Sequence, residues 1–396
     1  MQPDASTLPR GTAPRLPAAP AAWGGVFALA LAAFALVASE FMPVSLLSPI
    51  AADLRISEGQ AGQAIAVSGA FALLTSLCVT RLAGRLDRKI LLLGLTLMMI
   101  VAGTIAAFAP NYAVFMIGRA CVGVAIGGFW SMSAATAIRL VPDHLVPRAL
   151  AIVNGGNALA TVVAAPAGSV LGALVGWRGA FFCVVPVAAL AFAWKSASLP
   201  RLPAAPARAG NVLALLRRPA VAYGMAAVSL FFMGQFALFT YVRPFLETVT
   251  HVGTAGLTGM LLAVGVAGFV GTTCIGAFLD RHLFRTLTVI PLLMALLAAG
   301  LVAWGTVAPV VAVLLALWGL VATAAPVGWW TWLARTLPQD AEAGGGLIVA
   351  VVQLAIGLGA TLGGMLFDAW GYQATFGLGG ILLVAAAVLA RRSARP

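Results

Sequence analysis

Residues Trp23 to Ile50 read WGGVFALALAAFALVASEFMPVSLLSPI, and Glu40 is the one ionisable side chain among them. A run this long and this apolar is what a helix needs to cross a hydrocarbon core, about 20 residues. A carboxylate at membrane depth costs roughly 2.5–3.5 kcal/mol on insertion scales, so Glu40 reads as a functional residue that needs a partner or a proton. The one charge at comparable depth elsewhere is Arg119, in the stretch Tyr112 to Leu140. A lone acid and a lone base, each inside a span, point to a proton-coupled carrier.

Working outward, eleven further apolar stretches follow the first. They are Gln60–Thr80, Ile90–Phe108, Tyr112–Leu140, Ala149–Val175, Gly179–Ala197, Ala220–Leu246, Leu257–Leu279, Leu287–Ala303, Pro309–Leu337, Ala343–Phe367 and Thr375–Leu389. Lipid offers no partner to an unpaired backbone group, so each is expected to be a helix. The chain is 62% hydrophobic and 9% charged, with a mean hydropathy of +1.04. An ordinary soluble domain carries about 25% charged residues, so the expected class is an all-α integral membrane protein.

The net charge of +12 does not imply nucleic acid as a partner. With the N-terminus inside, 19 of the 23 Lys and Arg fall in the termini and inner loops. Arg55, Arg178 and Arg243 fall outside, and Arg119 lies in a span. This is the positive-inside bias. It predicts a multi-pass protein of a bacterial inner membrane with both termini cytoplasmic. The Pro- and Ala-rich residues 1–22 read as a cytoplasmic tail, with a cleaved signal peptide as the competing reading. The four cysteines lie singly in apolar stretches and read as packing residues.

A Pro- and Arg-rich segment, 198–219, separates two sets of six spans and reads as a cytoplasmic linker. The expected bundles are 23–197 and 220–390, with a tail at 391–396. The halves repeat weakly. Leu86-Asp87-Arg88 matches Leu279-Asp280-Arg281 at an offset of 193, and Arg139 and Pro142 match Arg335 and Pro338 at 196. Gly176 and Phe181 match Gly371 and Phe376 at 195. A parallel repeat of six spans is one known transporter plan, with the substrate site near the midplane between the halves.

From Trp23 onward the chain resembles the major facilitator drug:proton antiporters with twelve spans. The resemblance rests on Arg119-x-x-x-Gly123 in span four and on Gly156, Pro166, Gly168 and Gly172 in span five, with Ala165 where the family has a glycine. The family's loop signature after span two is degenerate around Asp87 and Arg88, and Gly276-x-x-x-Asp280-Arg281 keeps its first part better. Longer stretches, Glu40 to Leu47, Gly118 to Gly123, Gly127 to Trp130 and Pro326 to Trp329, are similar to the purine ribonucleoside efflux pumps. The likeness implies a monomeric exporter that exchanges inosine or guanosine for protons. A sugar, a purine base or an amphipathic drug on the same fold is the alternative. It implies gating roles for Asp87, Arg88, Asp280, Arg281 and Pro166.

Site candidates follow from depth and chemistry. Glu40 and Arg119 both lie ~10–15 Å below the outer surface at 1.5 Å per residue, and are read as the proton-coupling pair and as substrate ligands. The competing readings are a structural ion pair, or an Arg119 that braces helices through backbone carbonyls. Leaving water favours a protonated acid and a nearby guanidinium favours a carboxylate, so a movement that parts or hydrates the two would move a proton. Phe232, Gln235, Phe236 and Phe239 share one face of span seven. Phe236 and Phe239 would stack on a purine, and Gln235 would meet its polar edge. Asn157 and Trp130 complete the expected substrate set, while Asn154 and Gln353 read as helix-joining or cavity-lining. Pro43, one turn from Glu40, would free a carbonyl beside it. No phosphate loop or metal-ligand spacing occurs in the sequence, so neither an enzyme nor a cofactor nor a metal is expected.

Overall fold

The computed structural model describes residues 21–82, 84, 86–203, 212–337 and 341–393, and every regular element among them is helical. Most of the expected N-terminal tail, the middle of the linker, Pro338 and the last three residues lie outside the described residues.

Among the described residues, ten helices are long and apolar enough to cross a membrane. Two of them, Val146–Ser198 and Ala341–Arg392, run for 53 and 52 residues. At 1.5 Å per residue each would measure ~80 Å, more than twice a ~30 Å hydrocarbon core, so each supplies two crossings. Both are interrupted at a glycine with positive φ, +73° at Gly176 and +77° at Gly371. Only glycine takes that conformation freely, which accounts for the matched pair in the sequence. The twelve spans are therefore Trp23–Leu54, Glu58–Leu82, Arg88–Ala107, Tyr112–Arg139, 146–175, 177–198, Pro219–Thr248, Thr254–Cys274, Gly276–Ala303, Ala308–Thr336, 341–370 and 372–392.

Two expected spans are broken rather than continuous. Span seven stops at Phe239 and restarts at Val242; span ten stops at Ala322 and restarts at Ala325. Pro244 and Pro326 each lack the N–H that would bond the carbonyl four residues back, which is where each helix gives way. Residues Gly276 to Leu279, read as the end of span eight, open the next helix instead, Gly276–Ala303, which kinks at His282. Lys195, counted with the loop cations, is buried inside the first bundle, where its Nζ donates to Thr96 Oγ1 at 2.8 Å.

Glycines set how close the spans approach. A Cβ at Gly123 or Gly127 would land on the Ser68 or Ala72 carbonyl of span two, and one at Gly156 on Ala30 of span one. The second half repeats this. Gly319 lies against Val264, and Gly359 and Gly363 against Met233 and Ala237 of span seven. The pairs Gly123-x-x-x-Gly127 and Gly359-x-x-x-Gly363 thus each pack a neighbouring helix.

Each half holds its own apolar core. The start of span one at Trp23 and the end of span twelve at Arg392 define the near end of the bundle; the 55–57 turn lies at the far end. The hydrogen bonds that join the halves, among the described residues, run from mid-depth to the far end: Glu40 with Gln353, Gln63 with Thr361, Ser169 with Thr258, Ser45 with Arg243, and Ser57 and Gly59 with Asp368. The two halves are closed against each other at the far end.

Candidate functional site

Arg119 is fully buried in span four. Gly123 and Gly127, one and two turns on, let span two come within reach of it. Its Nε donates to the Ala64 carbonyl at 3.1 Å, and Nη2 to Ser68 Oγ at 3.1 Å. Nη1 donates to the Ser39 carbonyl at 2.9 Å and Nη2 to the Glu40 carbonyl at 3.3 Å. Ser39 is four residues before Pro43, which has no N–H to offer it. The guanidinium therefore fills the vacancy that Pro43 makes in the backbone ladder.

The expected side-chain pair is present as an attraction of charges without a hydrogen bond between the two side chains. Arg119 meets Glu40 through its main chain, and its donors go to acceptors on spans one and two. The brace through carbonyls, the competing reading, is the arrangement present. The reason lies in the proline and the glycines: they put carbonyls nearer to the fork than the carboxylate is.

The Glu40 carboxylate points into the seam between the halves. It is 6% exposed, and Oε1 accepts from Gln353 Nε2 in span eleven at 3.2 Å. The acid belongs to one half and its donor to the other. Next to it, Phe41 stacks on Phe236 of span seven, with ring centroids 5.7 Å apart and planes 23° apart. Phe239 meets Phe236 edge-on at 6.3 Å. Gln235 is partly buried, and its Oε1 is shut from solvent with no hydrogen-bond partner. So Glu40, Phe236 and the Phe239 ring share one region, while Gln235 offers an unused acceptor on the same span.

The remaining candidates lie elsewhere or contribute differently. Trp130 is partly buried against Phe129. Asn157 is partly buried, and its carbonyl accepts from Thr161. Pro166 is buried in span five, and the Val162 carbonyl it leaves free lies against Gly265 of span eight. Asp87 caps span three through Lys89 N at 2.8 Å and also accepts from Leu202 N. With Arg88 N on the Leu202 carbonyl and Arg139 on Pro203, it ties the start of the linker to the first half. Arg281 is exposed, and the Asp280 side chain lies outside the described residues.

Sequence reasoning passed over Phe41, Arg243 and Asp368 as site residues and gave Gln353 only a generic place. Each acts across the seam. The legible signal was Pro49, which orphans the Ser45 carbonyl just as Pro43 orphans Ser39. A recess of about 370 Å³ between spans nine and twelve is apolar throughout and has no group to orient a polar cargo.

The sequence profile of the Major Facilitator Superfamily matches residues 29–348. The chain belongs to this superfamily. It is a multi-pass membrane transporter. Its relatives include a Pseudomonas aeruginosa protein named transcription regulatory protein OpdE, 61% identical over 97% of both chains. They also include the purine ribonucleoside efflux pump NepI of Salmonella paratyphi B, 41% identical over 93% of this chain and 94% of that one. Among solved structures, an inward-facing, unoccupied bacterial homologue of the lysosomal transporter Spinster shares the fold. It superposes with a TM-score of 0.80 at 16% identity, over 95% of this chain and 98% of that one.

Proposed function

We propose that this transporter exports purine ribonucleosides such as inosine and guanosine in exchange for protons, with its near end in the cytoplasm. The observation that carries the coupling is Glu40, a buried acid on one half whose hydrogen-bond donor, Gln353, is on the other. A rocking motion that parts the halves at mid-depth takes that donor away and admits water. The acid then holds its proton differently in the two states, which is the requirement for coupling. Arg119 serves as the positioning residue, because it fixes the backbone of Ser39 and Glu40 against spans two and four.

The cargo rests on the 41% identity to a purine ribonucleoside pump. Chemistry at the seam supports it. Phe41 and Phe236 offer stacking faces, and the unused Gln235 Oε1 would accept from an N–H on a purine edge. The Lys and Arg bias toward the near end supports a cytoplasmic placement there and a bacterial inner membrane as the site of action. The name of the OpdE relative fits a carrier that changes transcription through the concentration of its cargo. A chain whose helices are long apolar spans has little charged surface to offer a duplex.

The test is efflux of inosine from preloaded cells, with and without a proton gradient, beside arabinose and a cationic dye. Gradient-dependent inosine efflux in excess of both competitors is expected. Efflux of arabinose or dye alone would overturn the cargo, and gradient-independent efflux would overturn the coupling.

A further inference from the structure

Span one carries a second proline inside its helix, Pro49. It leaves the Ser45 carbonyl without the N–H four residues on, as Pro43 does for Ser39. That carbonyl is filled from the opposite half. Arg243, at the far end of span seven and 8% exposed, donates its Nη1 to Ser45 O. Its Nε donates to Glu247 Oε1 at 2.8 Å, one turn along the same helix. The guanidinium reaches the seam already neutralised by its own half. It offers the other half a hydrogen bond, and its charge is also felt by Glu58 at the start of span two.

We propose that Arg243 is the far-end gate residue of this carrier: it closes the exit between the halves by filling the carbonyl that Pro49 leaves orphaned in span one. The sign follows from where the backbone group sits in each state. With the far end closed, Ser45 O is buried, and without Arg243 it has no partner. With the far end open, water reaches it. Loss of the arginine therefore penalises the closed state alone. Asp368 acts in the same sense a little farther out. Its carboxylate, from span eleven, accepts the Ser57 hydroxyl and, at 2.9 Å, the Gly59 N–H in the first turn of span two. Second-half side chains thus satisfy first-half backbone groups of both polarities, a carbonyl and an N–H. Water can replace each of them when the halves part, so the closure is firm yet reversible.

The gate rests on the carrier rocking its halves, and not on which cargo or ion it moves. Its test is correspondingly independent. Spin labels at Ala52→Cys and Ala255→Cys report the far end, and labels at His144→Cys and Arg285→Cys report the near end, in a background without the four native cysteines. Pulsed dipolar distances are read on purified protein without cargo. Arg243→Gln is expected to raise the far-end-open population about tenfold, the scale of one charge-assisted hydrogen bond, and to narrow the near end. Pro49→Ala gives the helix back its own donor to Ser45 and is expected to shift the same way. The double variant should then shift by less than the product of the two. Unchanged far-end distances in Arg243→Gln would overturn the proposal, as would a double variant that multiplies the single effects. Should Arg243→Gln fail to accumulate, Glu247→Gln and Pro49→Ala carry the test, and far-end distances unmoved in both would overturn it.

Discussion

Span one is opened twice by proline, and the two freed carbonyls are served from different places. At Pro43 the Ser39 carbonyl is taken by Arg119, a residue of the same half whose other donors reach spans one and two. At Pro49 the Ser45 carbonyl is taken by Arg243, a residue of the opposite half. The local chemistry is the same in both: a proline removes a donor, and a buried guanidinium replaces it. What differs is whether the replacement must let go when the halves move. The first bracket holds a bundle together. The second closes a passage. Glu40 lies between the two freed carbonyls, Ser39 and Ser45, so a single helix carries a permanent brace, a titratable group and a releasable contact within three turns.

The comparison can be broken most forcefully at the brace. Arg119→Leu leaves the buried Ser39 carbonyl without a donor and takes the side-chain donors from Ala64 O and Ser68 Oγ, and a loss of about 3 kcal/mol or more is expected. The readout is the thermal unfolding midpoint in detergent. Arg243→Gln should leave that midpoint nearly in place, since its contact is one the carrier already breaks. Equal midpoints for the two variants would erase the distinction. Gly123→Val is next. Its side chain would strike the Ser68 carbonyl, push span two away and take Arg119 out of reach, for about 1–3 kcal/mol on the same measurement.

Two milder changes sharpen the comparison. Pro43→Ala restores the helix donor to Ser39, so Arg119 loses a partner while the carbonyl does not. A net change within about 1 kcal/mol is expected, because the other carbonyls still hold the guanidinium. The smallest effect should come from Asp53→Asn. Its ion pair with Arg178 is largely exposed, at 47% and 36%, so a change within about 0.5 kcal/mol is expected by thermal unfolding.

Much of the fold was legible in the sequence, because the spans are long apolar runs and the matched glycines Gly176 and Gly371 are each the residue at which a double crossing bends. The depth of Glu40 and Arg119 was legible as well, since rise per residue fixes it. Azimuth was not. Counting residues along a helix says how deep a side chain lies, but not which neighbour it faces. The sequence suggested that Arg119 would pair with the carboxylate; its hydrogen bond goes to the carbonyl of the same residue, and only its charge reaches the carboxylate. Gln353 was hidden for the same reason: an amide in a span has many possible partners, and only the packing of span eleven on span one selects Glu40. The breaks in spans seven and ten were readable from Pro244 and Pro326, had the missing N–H been traced four residues back. That bookkeeping, applied to Pro49, would have asked for a donor at Ser45 and drawn attention to Arg243.

The central claim is that the acid at the seam carries the proton, and its most direct test uses proteoliposomes loaded with a pH reporter. Glu40→Gln keeps the side chain's size and an oxygen to accept from Gln353, so the protein should fold and still exchange labelled inosine for unlabelled. Addition of inosine should move protons against the nucleoside in the wild type and leave the reporter still in the variant. Proton movement in Glu40→Gln equal to that of the wild type would contradict the account.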